Sequence, residues 1–313
     1  MHPRQLAWTL AVAIVPAVYS TALASDLSFT TRTDDDRPIV TCDDIDMRFW
    51  KGQIGSGGIV TVRRSQPVAL RADPATPLKV NASNRGGVRV QPSSDGKLSA
   101  FVCMAAGAKS ESAGEAILDG LRIESDRGEL SVAGPEDGDW AAFIILSVPP
   151  AMSLDLNADN GGLVLRDVNG RFTLRTTNGP IKLKGVGGVI DAETQNGPIK
   201  YRGHAGDVRL VAQNGPVDVH LDADDWIGKG LEGSTQNGPI KLMVPPGLKS
   251  GVLVEGSASS PARWNGVPQP IQTQATGSRS FRFGDGPVMV RLSTVNGPLK
   301  IQAPQRGKQG VEI

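Results

Sequence analysis

Hydrophobic and polar residues alternate around a tripeptide, Asn-Gly-Pro, that recurs in the second half of the chain. After each copy an apolar residue, a mostly polar residue and another apolar residue follow, as in Ile181-Lys182-Leu183. The sixth and fourth residues before the Asn are mostly apolar too, as in Phe172 and Leu174 before Asn178. Side chains on a strand point alternately to opposite faces, so the pattern predicts two short strands per repeat, each with one apolar face.

The spacing of the repeat predicts how these strands are arranged. The asparagines, the first followed by Gly-Gly instead of Gly-Pro, are Asn160, Asn178, Asn196, Asn214, Asn237 and Asn296. Three successive intervals are 18 residues, the next is 23, and the last is 59, which leaves room for degenerate coils and a loop. Eighteen residues hold two strands and two turns but no crossover helix, so equivalent strands must stack on each other. We expect an all-β fold, a flattened right-handed β-solenoid whose coils advance by about 4.8 Å.

The turn residues fit this architecture. Gly supplies a positive φ, Asn tolerates left-handed geometry, and Pro opens a strand where a missing N–H costs little. Aligned Asn side chains would also hydrogen-bond from coil to coil. A row of glycan-binding or metal-binding oxygens is the alternative, but a turn-capping Asn does not point its oxygen outward. The residues predicted to form structural turns are Asn160, Asn178, Gly179, Asn196, Gly197, Asn214, Gly215, Asn237, Gly238, Asn296 and Gly297.

Charged residues occupy the positions predicted to face outward. Arg175, Asp191 and Arg209 fall on successive coils, where alternating charge favours the correct register. After the turns, one column holds lysines, interrupted by Asp218. This column is a possible ligand face for an anionic polymer, although lysine also protects sheets against aggregation. The lysines of the column are Lys182, Lys200, Lys241 and Lys300.

The composition restricts the class of protein. The chain has 313 residues, with 38 Gly and 22 Pro, which argues against long helices. Lys and Arg number 33 against 32 Asp and Glu, and this balance excludes the large basic excess that nucleic-acid partners need. Hydrophobic residues at 39% are enough to bury a core.

The N-terminus predicts export. Arg4 precedes an apolar run from Leu6 to Val18, and Ala22 and Ala24 fit a signal-peptidase site. We interpret residues 1–24 as a signal peptide; an uncleaved anchor is the weaker alternative, because the run is short for a membrane span. No later apolar run is long enough to cross a membrane, so we expect a soluble product in the periplasm or outside the cell.

Export changes the meaning of the two cysteines. Oxidising compartments favour disulfides, so we predict that Cys42 pairs with Cys103. A disulfide that closes a loop of about 60 residues could stabilise the fold by about 4 kcal/mol. A catalytic thiol or a zinc site is the alternative, but the only histidines after residue 24 are His204 and His220, and two Cys are too few for zinc.

The repeat is faint before residue 146. Residues 25–145 are expected to form a β-rich module, residues 146–303 the repeat solenoid, and residues 304–313 a polar tail. Short alternations with Gly turns indicate strands, and Ser110 to Leu118 predicts one short helix. The apolar stretch from Phe143 to Val148 predicts a buried strand that leads into the regular coils.

A family resemblance rests on three segments: Ser147 to Leu154, the reiterated Thr-x-Asn-Gly-Pro-Ile-Lys-Leu pattern, and Leu242 to Gly247. Over about residues 140 to 303 the chain resembles the bacterial exported family called putative adhesin (the DUF4097 domain). The resemblance implies a β-solenoid or rolled β-sheet outside the cytoplasm, with no catalytic residue and no cofactor. The chain differs from a typical large adhesin, because it lacks a wall-sorting motif, an autotransporter barrel and a long array of repeats.

Enzymatic and metal chemistry are the alternatives to an adhesin-like protein. Glycoside hydrolysis needs two carboxylates in a groove, and the nearest acidic cluster is Asp222, Asp224 and Asp225 beside Trp226. The cluster lies in the five-residue insertion, and we interpret it as a solvated turn. A calcium site is the alternative, although the spacing of the carboxylates differs from that of an EF-hand. We expect a non-enzymatic, adhesin-like protein whose envelope or surface partner is a protein or a polysaccharide. A carbohydrate-active enzyme, either polysaccharide lyase or hydrolase, is the second hypothesis.

Overall fold

The computed structural model describes residues 27–33, 37–51, 58–71 and 76–304. The predicted signal peptide, residues 1–24, lies outside the described residues, and so does the predicted tail beyond residue 304. None of the helices in the described ranges is long and apolar enough to cross a membrane.

Within the described ranges the regular secondary structure is strand, apart from one α-helix and one short 3-10 turn at Cys42–Asp44. The elements in chain order are β1 (Ser28–Thr33), β2 (Ile45–Trp50), β3 (Val60–Val68), β4 (Leu78–Pro92), β5 (Ser99–Ala108), α1 (Glu111–Asp119), β6 (Arg122–Asp126), β7 (Glu129–Ala133), β8 (Trp140–Val148), β9 (Met152–Asn160), β10 (Leu163–Arg166), β11 (Asn169–Asn178), β12 (Ile181–Lys184), β13 (Gly187–Asn196), β14 (Ile199–Gly203), β15 (Ala205–Asn214), β16 (Val217–Leu221), β17 (Ile227–Asn237), β18 (Ile240–Met243), β19 (Gly251–Ser257), β20 (Ala262–Asn265), β21 (Ile271–Ala275), β22 (Ser278–Phe283), β23 (Val288–Asn296) and β24 (Leu299–Gln302).

The repeat forms stacked coils, and the all-β solenoid predicted from the sequence is confirmed. The strand before each turn pairs in parallel with its equivalent one repeat later, so that Phe172 of β11 lies opposite Ile190 of β13. The strand after each turn does the same, with Ile181 of β12 opposite Ile199 of β14. We call the two stacks the long-strand row (β9, β11, β13, β15, β17, β23) and the short-strand row (β10, β12, β14, β16, β18, β24).

The core lies between the two rows. The alternate residues predicted to face inward, such as Leu174 on the long-strand row and Ile181 on the short-strand row, are fully buried. The residues that alternate with them along each strand face outward, and they are exposed or half-buried on every strand of both rows. The period-two pattern therefore assigned the two faces of each strand correctly.

The two long intervals in the repeat are accommodated differently. The 23-residue interval keeps the stack intact, because β17 still pairs with β15 through a register shift near Asp207. In the 59-residue interval β19 and β20 form a layer beyond the last coil, and β23 and β24 then insert between that layer and the coil of β17 and β18. β22 and β21 continue antiparallel from β19.

The N-terminal strands join the same sheet. Strand β4 pairs with β9 through its first part and with β10 through its second, so it adds one coil to the N-terminal end of the stack. The predicted boundary near residue 146 falls within β8, and the division into two domains stays a prediction. The predicted helix is present as α1, with the Ser110 hydroxyl capping its first turn by accepting from the Ala113 N–H.

A second, smaller core covers the outer side of the sheet at this end. The antiparallel pair β1 and β2 packs Met47 and Phe49 against Ala105 and Ile145 of β5 and β8. The structure joins Cys42 to Cys103 by a disulfide with the Cα atoms 5.5 Å apart. The crosslink ties this outer layer to β5, and the Cys103 side of it is fully buried.

The positive φ predicted for the turn glycines is wrong. None of the six asparagines of the repeat, and none of the glycines that follow them, has a positive φ. A Cβ on Gly197 would instead lie 2.1 Å from the carbonyl oxygen of Gly179 in the preceding coil. Glycine is required here because neighbouring turns approach each other closely, not because the backbone is left-handed.

Candidate ligand-binding face

The asparagines of the turns form a continuous hydrogen-bond ladder. Each side-chain amide donates to Oδ1 of the asparagine in the coil before it, at 2.9 Å from Asn178 to Asn160 and 2.9 Å from Asn296 to Asn237. The ladder crosses the 23-residue and 59-residue intervals without a break. Since the amide Nδ2 of an interior asparagine donates within the stack and its Oδ1 accepts there, the ladder is structural and leaves little for a ligand.

Buried threonines reinforce the same turns, and the sequence argument did not identify them. The Thr194 hydroxyl donates to the Gly179 carbonyl at 3.1 Å, and Thr176, Thr235 and Thr294 make the equivalent bond. The signal was the Thr that stands two residues before Asn in the repeat. Each bond satisfies a carbonyl that the turn would otherwise leave unpaired.

The outward surface of the short-strand row, which we call the short-strand face, carries two columns of side chains. Strand pairing places the equivalent residues of adjacent strands side by side. The first column is Val164, Lys182, Lys200, Asp218, Lys241 and Lys300. The second column is Arg166, Lys184, Arg202, His220, Met243 and Gln302.

The first column contains the lysines singled out from the sequence, and the second was missed. The sequence pattern contains this second column, because the residue two places after each position of the first column also points outward. Arg166, Lys184 and Arg202 bring positive charge to the strands that already carry Lys182 and Lys200. Lys300 lies at the far end of the column beyond Lys241.

A shallow open trough runs along this face. It has a volume of about 280 Å³ and its lining includes Val164, Arg166, Lys182, Lys200, Arg202 and Met243. Among the residues that line it, Asp218 is the one with a carboxylate. The trough is therefore positively charged over β10, β12 and β14.

Ion pairs restrain some of these charges and leave others available. Arg202 Nε lies 2.8 Å from Asp222 Oδ1, and Lys241 Nζ lies 3.7 Å from Asp218 Oδ2. Lys200 is exposed and makes no ion pair within the part of the chain that the structure describes. An anionic ligand can therefore reach Lys200 without displacing an acidic neighbour.

His220 lies at the acidic end of the trough. Partial burial lowers the pKa of His220, the positive charge of Arg202 lowers it further, and Asp222 and Asp218 act in the opposite direction. Its Nε2 is 3.8 Å from Asp222 Oδ1. The neutral imidazole is thus favoured at neutral pH, and the cationic character of the trough comes from Lys and Arg.

Tyr201 serves the core of the same coil. It is fully buried, its hydroxyl donates to the Ala205 carbonyl at 3.1 Å, and burial raises the pKa of its phenol. Its ring centroid is 6.0 Å from that of Trp226. Trp226 is itself buried, with its indole N–H donating to the Gly206 carbonyl at 3.1 Å.

The outer layer bounds the trough at its N-terminal end. Gln91 of β4 exchanges two hydrogen bonds with the backbone of Ile39, of 3.0 and 2.9 Å. The Arg89 guanidinium donates to the Arg37 carbonyl at 2.6 Å. Arg89 and Gln91 are buried under this segment, whereas Arg166 in the next strand is half-buried and lines the trough.

The acidic cluster of the insertion does not converge. Asp222 pairs with Arg202, Asp225 lies 3.7 Å from Lys249, and the Asp224 carbonyl accepts the Lys249 N–H at 2.8 Å. The three carboxylates form no cluster suited to a metal ion, and the described residues contain no group of three His, Cys, Asp or Glu that could hold one. The insertion places Trp226 at the corner of the core instead.

No model of a known protein family matches the chain, so the DUF4097 assignment stays a prediction. No curated protein matches its sequence. Similar solved structures include a putative adhesin from Bacteroides fragilis, 12% identical over 78% of this chain and 97% of that one, with a TM-score of 0.37. Others are a putative adhesin from Parabacteroides merdae (9% identical, 80% and 98% covered, TM-score 0.35) and a putative lipid binding protein from Parabacteroides distasonis (10%, 78% and 97%, TM-score 0.33). At these values the likeness carries no argument about the ligand of this chain.

Proposed function

We propose that the protein is an exported, adhesin-like β-solenoid that binds a component of the cell envelope through its short-strand face. The observation that carries the proposal is the positively charged trough over β10, β12 and β14. A rigid stack of coils holds these side chains at fixed spacing, so little order has to be created on binding.

Export is supported by two features. The disulfide between Cys42 and Cys103 is of a kind that persists in oxidising compartments. The residues before Ser25 have the pattern of a signal peptide. The periplasm and the cell surface both satisfy these requirements.

Binding is favoured over glycoside hydrolysis by the chemistry of the trough. Hydrolysis of a glycosidic bond uses two carboxylates on either side of it. Asp218 is the one carboxylate among the residues that line the trough, and Lys241 lies 3.7 Å from it. Nothing in the lining pairs a second acid with it.

The test is sedimentation of the purified protein with an envelope fraction from the organism that carries the gene. We expect the parent protein to sediment with the envelopes, and Lys182→Gln/Lys200→Gln to remain largely in the supernatant. The matched control, Arg171→Gln/Arg291→Gln, removes two positive charges from the outward surface of the long-strand row and should behave as the parent. Equal loss by both double variants, or no sedimentation of the parent, would count against the proposal.

A further inference from the structure

We infer that the trough binds a linear polysaccharide carrying carboxylates, laid along the solenoid axis from β10 towards β18. This inference rests on the proposed function and adds the chemical class of the ligand. Three independent features of the short-strand face lead to it: the concentration of positive charge, its periodicity, and the side chains that accompany it.

The charge is concentrated at one end of the face. The outward positions of β10, β12 and β14 are Val164, Arg166, Lys182, Lys184, Lys200 and Arg202. Five of these six positions are cationic, on a chain whose total formal charge is only +1. Two of the five are paired with acids, Arg166 with Asp167 and Arg202 with Asp222, both at 2.8 Å. A local excess of this kind attracts a polyanion while the rest of the surface stays neutral.

The charge is also periodic. Lys182 and Lys200 are register partners on adjacent parallel strands, and Lys184 and Arg202 are the next pair. Adjacent strands are about 4.8 Å apart, so cations recur at that interval from Arg166 through Lys184 to Arg202 in one column, and from Lys182 to Lys200 in the other. A linear polymer with regularly spaced anionic groups can meet several of them at once, and each added contact strengthens the whole.

The accompanying side chains argue for sugar over nucleic acid or lipid. Single-stranded nucleic acid is bound on exposed aromatic platforms, and the one aromatic residue of the trough lining, Tyr201, is fully buried. The half-buried apolar side chains there are Val164 and Met243, too few to hold acyl chains but suited to the apolar side of a sugar ring. Asp218 and His220 can hydrogen-bond hydroxyl groups further along the trough.

The test uses polygalacturonate oligomers as the probe and the full exported chain as the protein. Titration calorimetry at low salt should show binding that weakens as salt is added, because salt screens exposed charges. The fully methyl-esterified oligomer has the same backbone without charge and should not bind. Lys182→Gln/Lys200→Gln should weaken binding about five- to tenfold. The control Arg171→Gln/Arg291→Gln should change it less than about twofold.

Each other outcome overturns the inference. Equal binding of the esterified oligomer would show that carboxylates are not recognised, and equal weakening by the two double variants would show that the trough is not the site. Tighter binding of polyphosphate, or of vesicles containing anionic lipid, would assign a different ligand class. If envelopes still bind in a manner that depends on Lys182 and Lys200 but polygalacturonate does not, the ligand class is wrong and the proposed function stands. If envelopes do not bind at all, the proposed function itself fails.

Discussion

Asn196 donates its side-chain amide to Oδ1 of Asn178, 18 residues earlier in the chain, at 2.9 Å. Its own Oδ1 accepts from Asn214 at 3.0 Å. The same contact recurs at every turn of the ladder, including the turn that follows an interval of 59 residues. The asparagine side chains thus join the turns of neighbouring coils, whatever the number of residues between two turns.

The position of an asparagine in this ladder predicts the cost of removing it. Asn196→Ala breaks two side-chain hydrogen bonds, whereas Asn296→Ala breaks the one that Asn296 makes to Asn237. At about 0.5 to 1.5 kcal/mol per bond, with exposed bonds at the low end, Asn196→Ala should lower the free energy of unfolding about twice as much. Urea melts of the two variants measure this. Equal losses would show that the ladder contributes nothing beyond the turn itself.

Close packing between turns predicts a different response at two glycines. A Cβ on Gly197 would lie 2.1 Å from the Gly179 carbonyl oxygen, whereas the nearest atom to a Cβ on Gly187 is Asn169 Oδ1 at 3.6 Å. Neither glycine has a positive φ. Gly197→Ala should therefore destabilise the fold by about 1 to 3 kcal/mol.

Gly187→Ala serves as the matched control and should change stability by no more than about 0.5 kcal/mol. The same urea melts compare the two. If Gly197→Ala were tolerated as well as Gly187→Ala, the close approach of successive turns would not be what requires glycine.

Asp191 on the long-strand row predicts a dependence of stability on pH. Partial burial acts to raise its pKa, but hydrogen bonds from Arg175 at 2.5 Å and Arg209 at 2.7 Å outweigh burial and hold the pKa below its usual value. A carboxylate with a lowered pKa in the folded state contributes stability above its unfolded pKa, and this contribution is lost as the pH falls through the folded pKa. Asp191→Asn should cost about 1 kcal/mol at neutral pH.

The difference between Asp191→Asn and the parent should shrink as the pH falls below about 4 and disappear in stronger acid. Thermal melts over this range measure it. Glu255→Gln, at an exposed position on β19 with no ion pair among the described residues, is the control and should change stability at neutral pH by no more than about 0.5 kcal/mol. A constant difference at all pH values would mean that packing, not charge, makes Asp191 important.

The sequence predicts the regular part of the fold well because two local rules coincide there. Alternation assigns Leu174 and Ile181 to the core, and the 18-residue spacing of Asn178 and Asn196 fixes which strands are neighbours. The helix after Ser110 is likewise signalled by its own cap. These features depend on residues close to one another in the chain.

Other features depend on contacts that the sequence does not order. The sequence of strand β19 has the usual alternation of a strand, and nothing in the neighbouring residues predicts that β23 pairs beside it. The requirement at Gly197 comes from a turn 18 residues away, so the local reading assigned it a positive φ that it does not have. For the candidate site, the repeated lysines predict Lys182 and Lys200, but the column of Arg202 is less regular, since it changes from Lys and Arg to His220, Met243 and Gln302.

If the short-strand face is the surface that meets the envelope, bound envelope should shield its lysines from chemical modification. The protein is acetylated at limiting reagent with and without envelope fraction, and modification is read by mass spectrometry at Lys200, Lys241 and Lys300 on this face. The comparison sites are Lys79 on β4 and Lys229 on β17, both exposed. We predict that envelope protects Lys200 most, with Lys79 and Lys229 unchanged. Protection of Lys79 and Lys229 with Lys200 still fully reactive would show that another surface of the protein meets the envelope.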